Sequence, residues 1–388
     1  PEAAARVELL FKIALIEEER LADHDAAAAT YGQILNQVPD SLRALRALAK
    51  IHDARGDWVG LAATLARELA VVQAAGVDAE TRADLLVRLA GLYETSLDRP
   101  VDALTRWIAA RAASPRRGSV IDALERYLDD RLEGGRLARR VSLAARVDIA
   151  RLLLPGWEQR DDASRIARAL QVLRAADGQG AAEQLVIDRR LVGLYNKLGE
   201  LGHAWDSAVR VLAADPGNAD NRRVLHGLAE RLDRFADLAA LLDAAALAAR
   251  DRDLDQASQR ALAVELAAVH DERLGVPADA ELAWQRVLAI DDTDERAYDA
   301  LERIYRVAGR WGELRDLLIR REAHSLDAER RRAAALALCD LYEGILDDHD
   351  GAIGAYVRVL DIDSTPSPAT QRAFKALERL YAGANRWR

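Results

Sequence analysis

The chain has 388 residues, half of them apolar and 5% aromatic, with a formal net charge of −9. This length suits either about two or three globular domains or one extended array. The negative charge argues against binding to nucleic acid, which requires a basic surface. No apolar run reaches the roughly 18 residues of a membrane span, so insertion into a membrane is not expected. Because Cys339 is the single cysteine, an internal disulfide is excluded.

Alanine is abundant, and charges of both signs are interleaved along the chain. This composition favours closely packed amphipathic helices over strands. In chain order, residues 2–75 and 78–131 each show two helical hairpins, whereas residues 132–178 are irregular. There Pro155-Gly156-Trp157 is predicted to interrupt a helix. Further double hairpins are predicted at residues 180–250, 254–324 and 326–388.

A repeat of about 76 residues organises the chain. Ala27 and Ala103 are 76 residues apart, and each has an aromatic residue four positions later. A second kind of hairpin alternates with this one. It is best seen as Ala300-Leu301-Glu302-Arg303 followed by Gly309-Arg310-Trp311, and Phe235 replaces the tryptophan in a relative. One hairpin cannot bury its apolar stripe, so neighbouring hairpins are predicted to stack. The tryptophans at repeat positions are therefore expected in the core, whereas Trp157 and Trp205 are expected to be freer to contact a partner.

The stretch 186–218 shows the repeat most clearly. Leu191, Val192 and Tyr195 lie on one helical face, and Gly199 stands where a left-handed residue would end the helix. Asp215-Pro216-Gly217-Asn218 closes the second helix with residues typical of turns. This order of residues resembles the tetratricopeptide (TPR) repeat. The resemblance covers nearly the whole chain and implies an all-α, right-handed α-solenoid of about ten TPR-like hairpins, or roughly twenty helices.

Three regions are predicted: a TPR-like array at 1–131, an irregular and more mobile helical segment at 132–178, and a second array at 179–388. The sequence starts at Pro1, contains no methionine and stops at Arg388, just past Trp387. A solenoid normally ends in a capping helix, so the natural protein is expected to continue. No signal peptide or lipidation motif is visible, which favours a cytoplasmic location.

Residue patterns typical of catalysis are absent. No H-E-x-x-H, paired cysteines or phosphate-binding loop occurs, so we expect no enzyme activity and no cofactor or metal. The acidic run Asp347-Asp348-His349-Asp350-Gly351 has the wrong residues for a calcium loop and is interpreted as a turn, with Asp350 capping the next helix. Cys339 is interpreted as a small buried residue.

The TPR resemblance implies that the first helix of each hairpin lines a concave groove where a peptide or protein docks. The positions that match are Glu18, Glu94, Arg189, Asn196, Lys197, Asp271, Asp340 and Glu343. Most are acidic, whereas TPR domains that grip a terminal carboxylate use Lys, Arg and Asn, and only Arg189, Asn196 and Lys197 fit that pattern. The acidic residues indicate a basic partner segment.

The function that this sequence favours is a non-catalytic scaffold or adaptor for protein–protein interaction. One alternative is the regulatory or substrate-recruiting region of a larger multidomain enzyme. Another is a self-assembling structural component whose hairpins stack between chains.

Overall fold

The computed structural model describes residues 2–128, 135–176, 178, 180–251, 254–362 and 367–383. Over these ranges the chain is helical and contains no strand. The helices of the first half are α1 (Glu2–Glu19), α2 (His24–Gln37), α3 (Leu42–Arg55), α4 (Trp58–Ala74), α5 (Ala79–Thr95), α6 (Pro100–Ala113), α7 (Gly118–Glu125), α8 (Gly135–Ala138), α9 (Leu143–Glu158) and α10 (Ala163–Arg174).

The second half continues the same architecture. Its helices are α11 (Ala181–Leu198), α12 (Leu201–Ala214), α13 (Ala219–Leu232), α14 (Phe235–Asp251), α15 (Gln256–Ala268), α16 (Pro277–Ile290), α17 (Glu295–Ala308), α18 (Trp311–His324), α19 (Ala328–Leu341), α20 (His349–Ile362) and α21 (Pro368–Gly383). Short π-helical turns, Val269–Leu274 and Tyr342–Leu346, extend α15 and α19. The prediction of an all-α repeat of TPR-like hairpins is confirmed.

The chain divides into two compact units, Pro1–Ile187 and Asp188–Arg388. In the first unit, α1/α2, α3/α4, α5/α6 and α9/α10 pair as antiparallel neighbours across short turns. In the second unit, the pairs include α13/α14, α15/α16, α17/α18 and α19/α20. The predicted division at 131 and 178 stays a prediction, although the segment 132–178 contains the α9/α10 hairpin.

Short polar residues set the helix starts. Many helices follow an Asp, Ser or Asn whose side chain accepts a hydrogen bond from a backbone N–H three residues later, satisfying a donor that has no partner within the helix. These capping residues include Asp23, Ser41, Asp57, Asp78, Ser142, Asp162, Asn218, Asp255 and Asp294. Before α20 the capping carboxylate is Asp348, which accepts from Gly351 N–H at 2.9 Å. Asp350 lies inside the helix, so its predicted capping role is wrong.

Within the described residues, the turn inside each hairpin named above contains one residue in the left-handed region. Gly199, as predicted, has φ +74°, and glycine takes this place in several other turns. Elsewhere the residue is Ala22, with φ 52°, or an aspartate. Left-handed backbone costs a residue with a Cβ more than it costs glycine. Turns with the same geometry therefore differ in strain. The aspartates concerned are Asp98, Asp161, Asp233 and Asp347.

Four expectations, about Pro155 and three tryptophans, are wrong. Pro155 lies inside α9, which continues to Glu158, because burial of the following turn against α10 holds the helix across the missing N–H. Trp157 and Trp205 are each only 2% exposed and are therefore not free for a partner. Among the tryptophans at repeat positions, which were expected in the core, Trp107 and Trp284 are buried, but the expectation is wrong for Trp58, the first residue of α4, which is 38% exposed.

Candidate interaction surface

Four hairpins share a contact between a carboxylate on the first helix and an aromatic side chain 13 residues later on the second. Tyr31 donates its hydroxyl to Glu18 at 2.9 Å. The Trp107 indole donates to Glu94 at 3.0 Å, and the Trp284 indole donates to Asp271 at 3.2 Å. In each case the aromatic ring is buried and the carboxylate satisfies its polar atom.

The fourth contact joins Tyr356 to Glu343. Burial, together with the hydrogen bond to Glu343, raises the pKa of Tyr356 to about 12. Burial and the hydrogen bond to Glu18 likewise raise the pKa of Tyr31 to about 12. Both phenols are therefore neutral donors at physiological pH, so each carboxylate remains the acceptor.

An arginine from the following hairpin completes three of these contacts. Arg126 lies 2.8 Å from Glu94, and Arg303 and Arg379 contact Asp271 and Glu343. We call each such set of carboxylate, aromatic residue and arginine a bracket, because it joins three successive helices. The brackets are Glu94/Trp107/Arg126, Asp271/Trp284/Arg303 and Glu343/Tyr356/Arg379. Their arginines all come from the repeated Ala-Leu-Glu-Arg sequence.

Two hairpins place the aromatic ring on the first helix instead. Tyr195 and Trp157 occupy the position of the carboxylate, and the residues 13 positions later are Ala208 and Leu170. All four side chains are buried. The ring of Tyr195 stacks on His203 at 5.1 Å. The large side chain thus fills the same gap from the opposite helix, which explains why the alanine–aromatic motif disappears from the sequence there.

Among the predicted partner-binding residues, Glu94 and Asp271 are largely buried, with 7% and 11% of the side chain exposed. Arg189 is half-exposed and contacts Asp215 at 2.5 Å on the neighbouring helix. Asn196 is half-buried and Lys197 is exposed on α11. Asp340 is exposed and contacts Arg372. That these residues bind a partner stays a prediction.

Asp340 and Glu343 come together in one open cavity of about 790 Å³, formed by α19, α20 and α21 of the second unit. The residues that α21 adds to this cavity were not expected from the sequence. Arg379 could have been found from the repeated Ala-Leu-Glu-Arg sequence. The cavity residues on the earlier turns of α21 lie outside that four-residue sequence. The α21 residues that line the cavity are Pro368, Gln371, Arg372, Lys375, Ala376 and Arg379.

The cavity carries more cationic than anionic side chains. Arg372 contacts Asp340, and Arg379 contacts Glu343. Each of the two acidic side chains is therefore already matched by an arginine, and Lys375 adds a further positive charge on the exposed face of α21. An acidic group entering the cavity would meet Lys375 and two arginines whose charges Asp340 and Glu343 already partly balance.

Metal-binding groups are not assembled in the part of the chain that the structure describes. Its His, Cys, Asp and Glu side chains form no group of three that could hold a metal ion. Cys339 is fully buried, as predicted, and burial raises the pKa of its thiol to about 12, which disfavours the reactive thiolate. None of the described helices combines the length and apolarity needed to cross a membrane.

No protein-family model and no curated protein matches the sequence. Solved structures with overlapping helices include Naa15/Naa10 bound to HypK-THB, at 14% identity and a TM-score of 0.27. That overlap covers 98% of this chain and 61% of the other, so the chain spans less than two thirds of its length.

The TPR2AB domain of yeast Sti1, in a complex with a pHSP90 peptide, has 12% identity and a TM-score of 0.27 over 69% of this chain and 97% of that one. The TPR domain of P58(IPK) has 13% identity and a TM-score of 0.23, covering 98% and 99%. Scores this low give no information on function. The assignment of an all-α array of TPR-like hairpins therefore rests on the helices and brackets of this chain.

Proposed function

We propose that this protein is a non-catalytic interaction scaffold that binds an extended peptide segment of another protein in the cavity between α19 and α21. The observation that carries the proposal is the open cavity of about 790 Å³ lined by exposed charged side chains of successive helices. A volume of this size accommodates several peptide residues, and its polar lining suits a peptide better than an apolar small molecule.

The charges of the cavity favour an acidic segment. The carboxylates of Asp340 and Glu343 each contact an arginine, so they offer little to a basic partner. Lys375 and the outer edges of both guanidinium groups remain available to an incoming carboxylate. A partner bound in this cavity is therefore expected to be acidic, whereas the sequence indicated a basic partner segment.

The proposal is tested with an array of immobilised peptides of mixed charge, probed with the full chain. We expect acidic peptides to be retained, with binding that weakens as salt is raised. Lys375→Glu should abolish most of this binding. The matched control is Lys50→Glu, which reverses an exposed lysine on α3, outside the cavity. Retention of basic peptides, or equal losses in both variants, would overturn the proposal.

A further inference from the structure

Two cavities of the second unit lie side by side between α14 and α16, which are the second helices of successive hairpins. One has a volume of about 90 Å³ and the other about 450 Å³, and α15 contributes to the lining of both. They share Asp243, Leu266, Ala283 and Arg286 and therefore adjoin. We call the two together the α14/α16 groove. Further helices precede α14 and follow α16, so the groove is not an end of the array.

The smaller cavity exists because a side chain that other hairpins carry is missing. Helices α4, α14 and α18 each start at an aromatic residue, so their positions can be compared by counting from that residue. The twelfth residue is Leu69 on α4, Ala246 on α14 and Glu322 on α18. Leu69 is buried, and Glu322 contacts Arg358 of α20 at 2.9 Å. Alanine leaves this space unfilled, as a leucine-to-alanine substitution does in a packed core.

An ion pair limits what the groove can hold. Arg286 is the counterpart of Arg358, since each lies six residues after the alanine of its alanine–aromatic pair. Because position 246 offers no carboxylate, Arg286 instead contacts Asp243 at 2.6 Å and joins α16 to α14 where the two cavities meet. A helix, about 10 Å across, would have to break this pair to lie along the groove. An unbranched alkyl chain is only as wide as a methylene group and would not.

The lining of the groove determines the chemistry of its ligand. Apart from the ion pair, the walls are mainly alanine and leucine, and Ala263 and Leu266 are only 5% and 3% exposed. An apolar cavity of this kind stays dry and takes up apolar groups. At the end of the smaller cavity, Leu247 is 56% exposed, and Arg250 follows one helical turn later. Arg250 is exposed and makes no ion pair with any residue that the structure describes.

We infer that the α14/α16 groove binds a small molecule made of an unbranched alkyl chain with a carboxylate at one end. The carboxylate pairs with Arg250, and the chain lies on Leu247, fills the space beside Ala246 and ends in the larger cavity. Asp279 lines the far end of that cavity, and its negative charge favours this orientation over the reverse one. The groove is separate from the cavity of α19, α20 and α21, and the inference is independent of the peptide binding proposed above.

Isothermal titration calorimetry of the full chain with dodecanoate, kept below the concentration at which it forms micelles, tests the inference. We expect saturable binding. Ala246→Leu should weaken it at least about tenfold, since leucine fills the smaller cavity as Leu69 fills the same place on α4. This variant should unfold at the same temperature as the wild type or at a higher one, because the added side chain occupies a cavity. Arg250→Glu should weaken binding about fivefold, since the ion pair with the carboxylate is lost.

The matched controls are Ala66→Leu, at a half-buried alanine of α4, and Arg231→Glu, at an exposed arginine of α13 outside the groove. Both should bind dodecanoate as the wild type does. Dodecylamine has the same chain with a cationic head and should bind at least about tenfold more weakly. Absence of saturable dodecanoate binding overturns the inference, as does equal binding by Ala246→Leu and Ala66→Leu or by Arg250→Glu and Arg231→Glu. Dodecylamine binding as tight as that of dodecanoate also overturns it.

Discussion

Glu94 accepts a hydrogen bond from the indole of Trp107 at 3.0 Å and a second from the hydroxyl of Tyr127 at 2.9 Å, while Arg126 lies 2.8 Å from its other oxygen. One carboxylate thus satisfies donors on α6 and in the turn that follows α7. Because of these contacts, Glu94 contributes to the stability of the fold whether or not it also contacts a partner protein.

Replacing Glu94 therefore tests the bracket directly. Glu94→Ala leaves two buried donors without an acceptor and should lower the free energy of unfolding by about 2–4 kcal/mol. Glu94→Gln keeps an acceptor and should cost less. Urea unfolding followed by circular dichroism measures both. Glu230→Ala, at an exposed glutamate of α13, is the control, and an equal urea midpoint for Glu94→Ala and the control would contradict the structural role.

The left-handed turn residues give a pair of opposite predictions. Ala22→Gly should raise the free energy of unfolding by up to about 1 kcal/mol, because the left-handed strain of alanine is removed. Gly275→Ala should lower it by about 1 kcal/mol. A Cβ at position 275 meets no atom within 4 Å, so backbone strain alone is tested. Thermal unfolding of the two variants checks the signs, and shifts in the same direction would refute the explanation.

Tyr31 makes stability depend on alkaline pH. Its pKa rises from 10.0 in the unfolded reference to about 12 in the fold, because of burial and the hydrogen bond to Glu18. Between these values the folded chain holds a proton that the unfolded chain has lost, so stability falls as pH rises from about 10 to about 12. Tyrosinate absorbance of the wild type and of Tyr31→Phe measures the titration. An ordinary pKa for the tyrosine missing from the variant would contradict the prediction.

The ion pair of buried Arg222 and half-buried Glu265 predicts the opposite pH effect. Arg222 is 3% exposed and lies 3.0 Å from Glu265, which also faces His226 at 3.5 Å. Burial alone would raise the pKa of Glu265, but hydrogen bonds and charge from His226 and Arg222 outweigh it and hold the pKa below its usual range. This contribution to stability is present at neutral pH and is lost as pH falls through the folded pKa.

Glu265→Ala should therefore lower the free energy of unfolding by about 3–5 kcal/mol, since Arg222 would stay buried without its partner. The double variant Arg222→Met with Glu265→Leu should recover most of that loss because no buried charge remains. Chemical unfolding of the single and double variants measures the difference. A double variant as unstable as the single one would show that the charges themselves are required.

The helical repeat could be predicted from the sequence because the spacing of about 76 residues recurs even where individual residues of the motif differ. The TPR resemblance singles out Glu94, Asp271 and Glu343 as partner-binding positions, but it does not show that the aromatic residue 13 positions later contacts each carboxylate. The arginine partners were missed because they belong to the next hairpin, and no local pattern shows which carboxylate they meet. Trp157 was misjudged for a related reason: its ring fills, from the first helix, the gap that Trp107 fills from the second. The packed volume of the aromatic ring is preserved in that hairpin, although the alanine–aromatic sequence motif is not.

The 13-residue spacing between carboxylate and aromatic side chain has a consequence for how the chain folds. Such a contact closes a short loop at small entropic cost, so each of the four hairpins that contain it can form its own contact before its neighbours are in place. The arginine of each bracket comes from the following hairpin, so it joins last and couples neighbours that have already formed. Folding can thus start at several points along the chain and spread from them, as in a one-dimensional lattice with coupled neighbours.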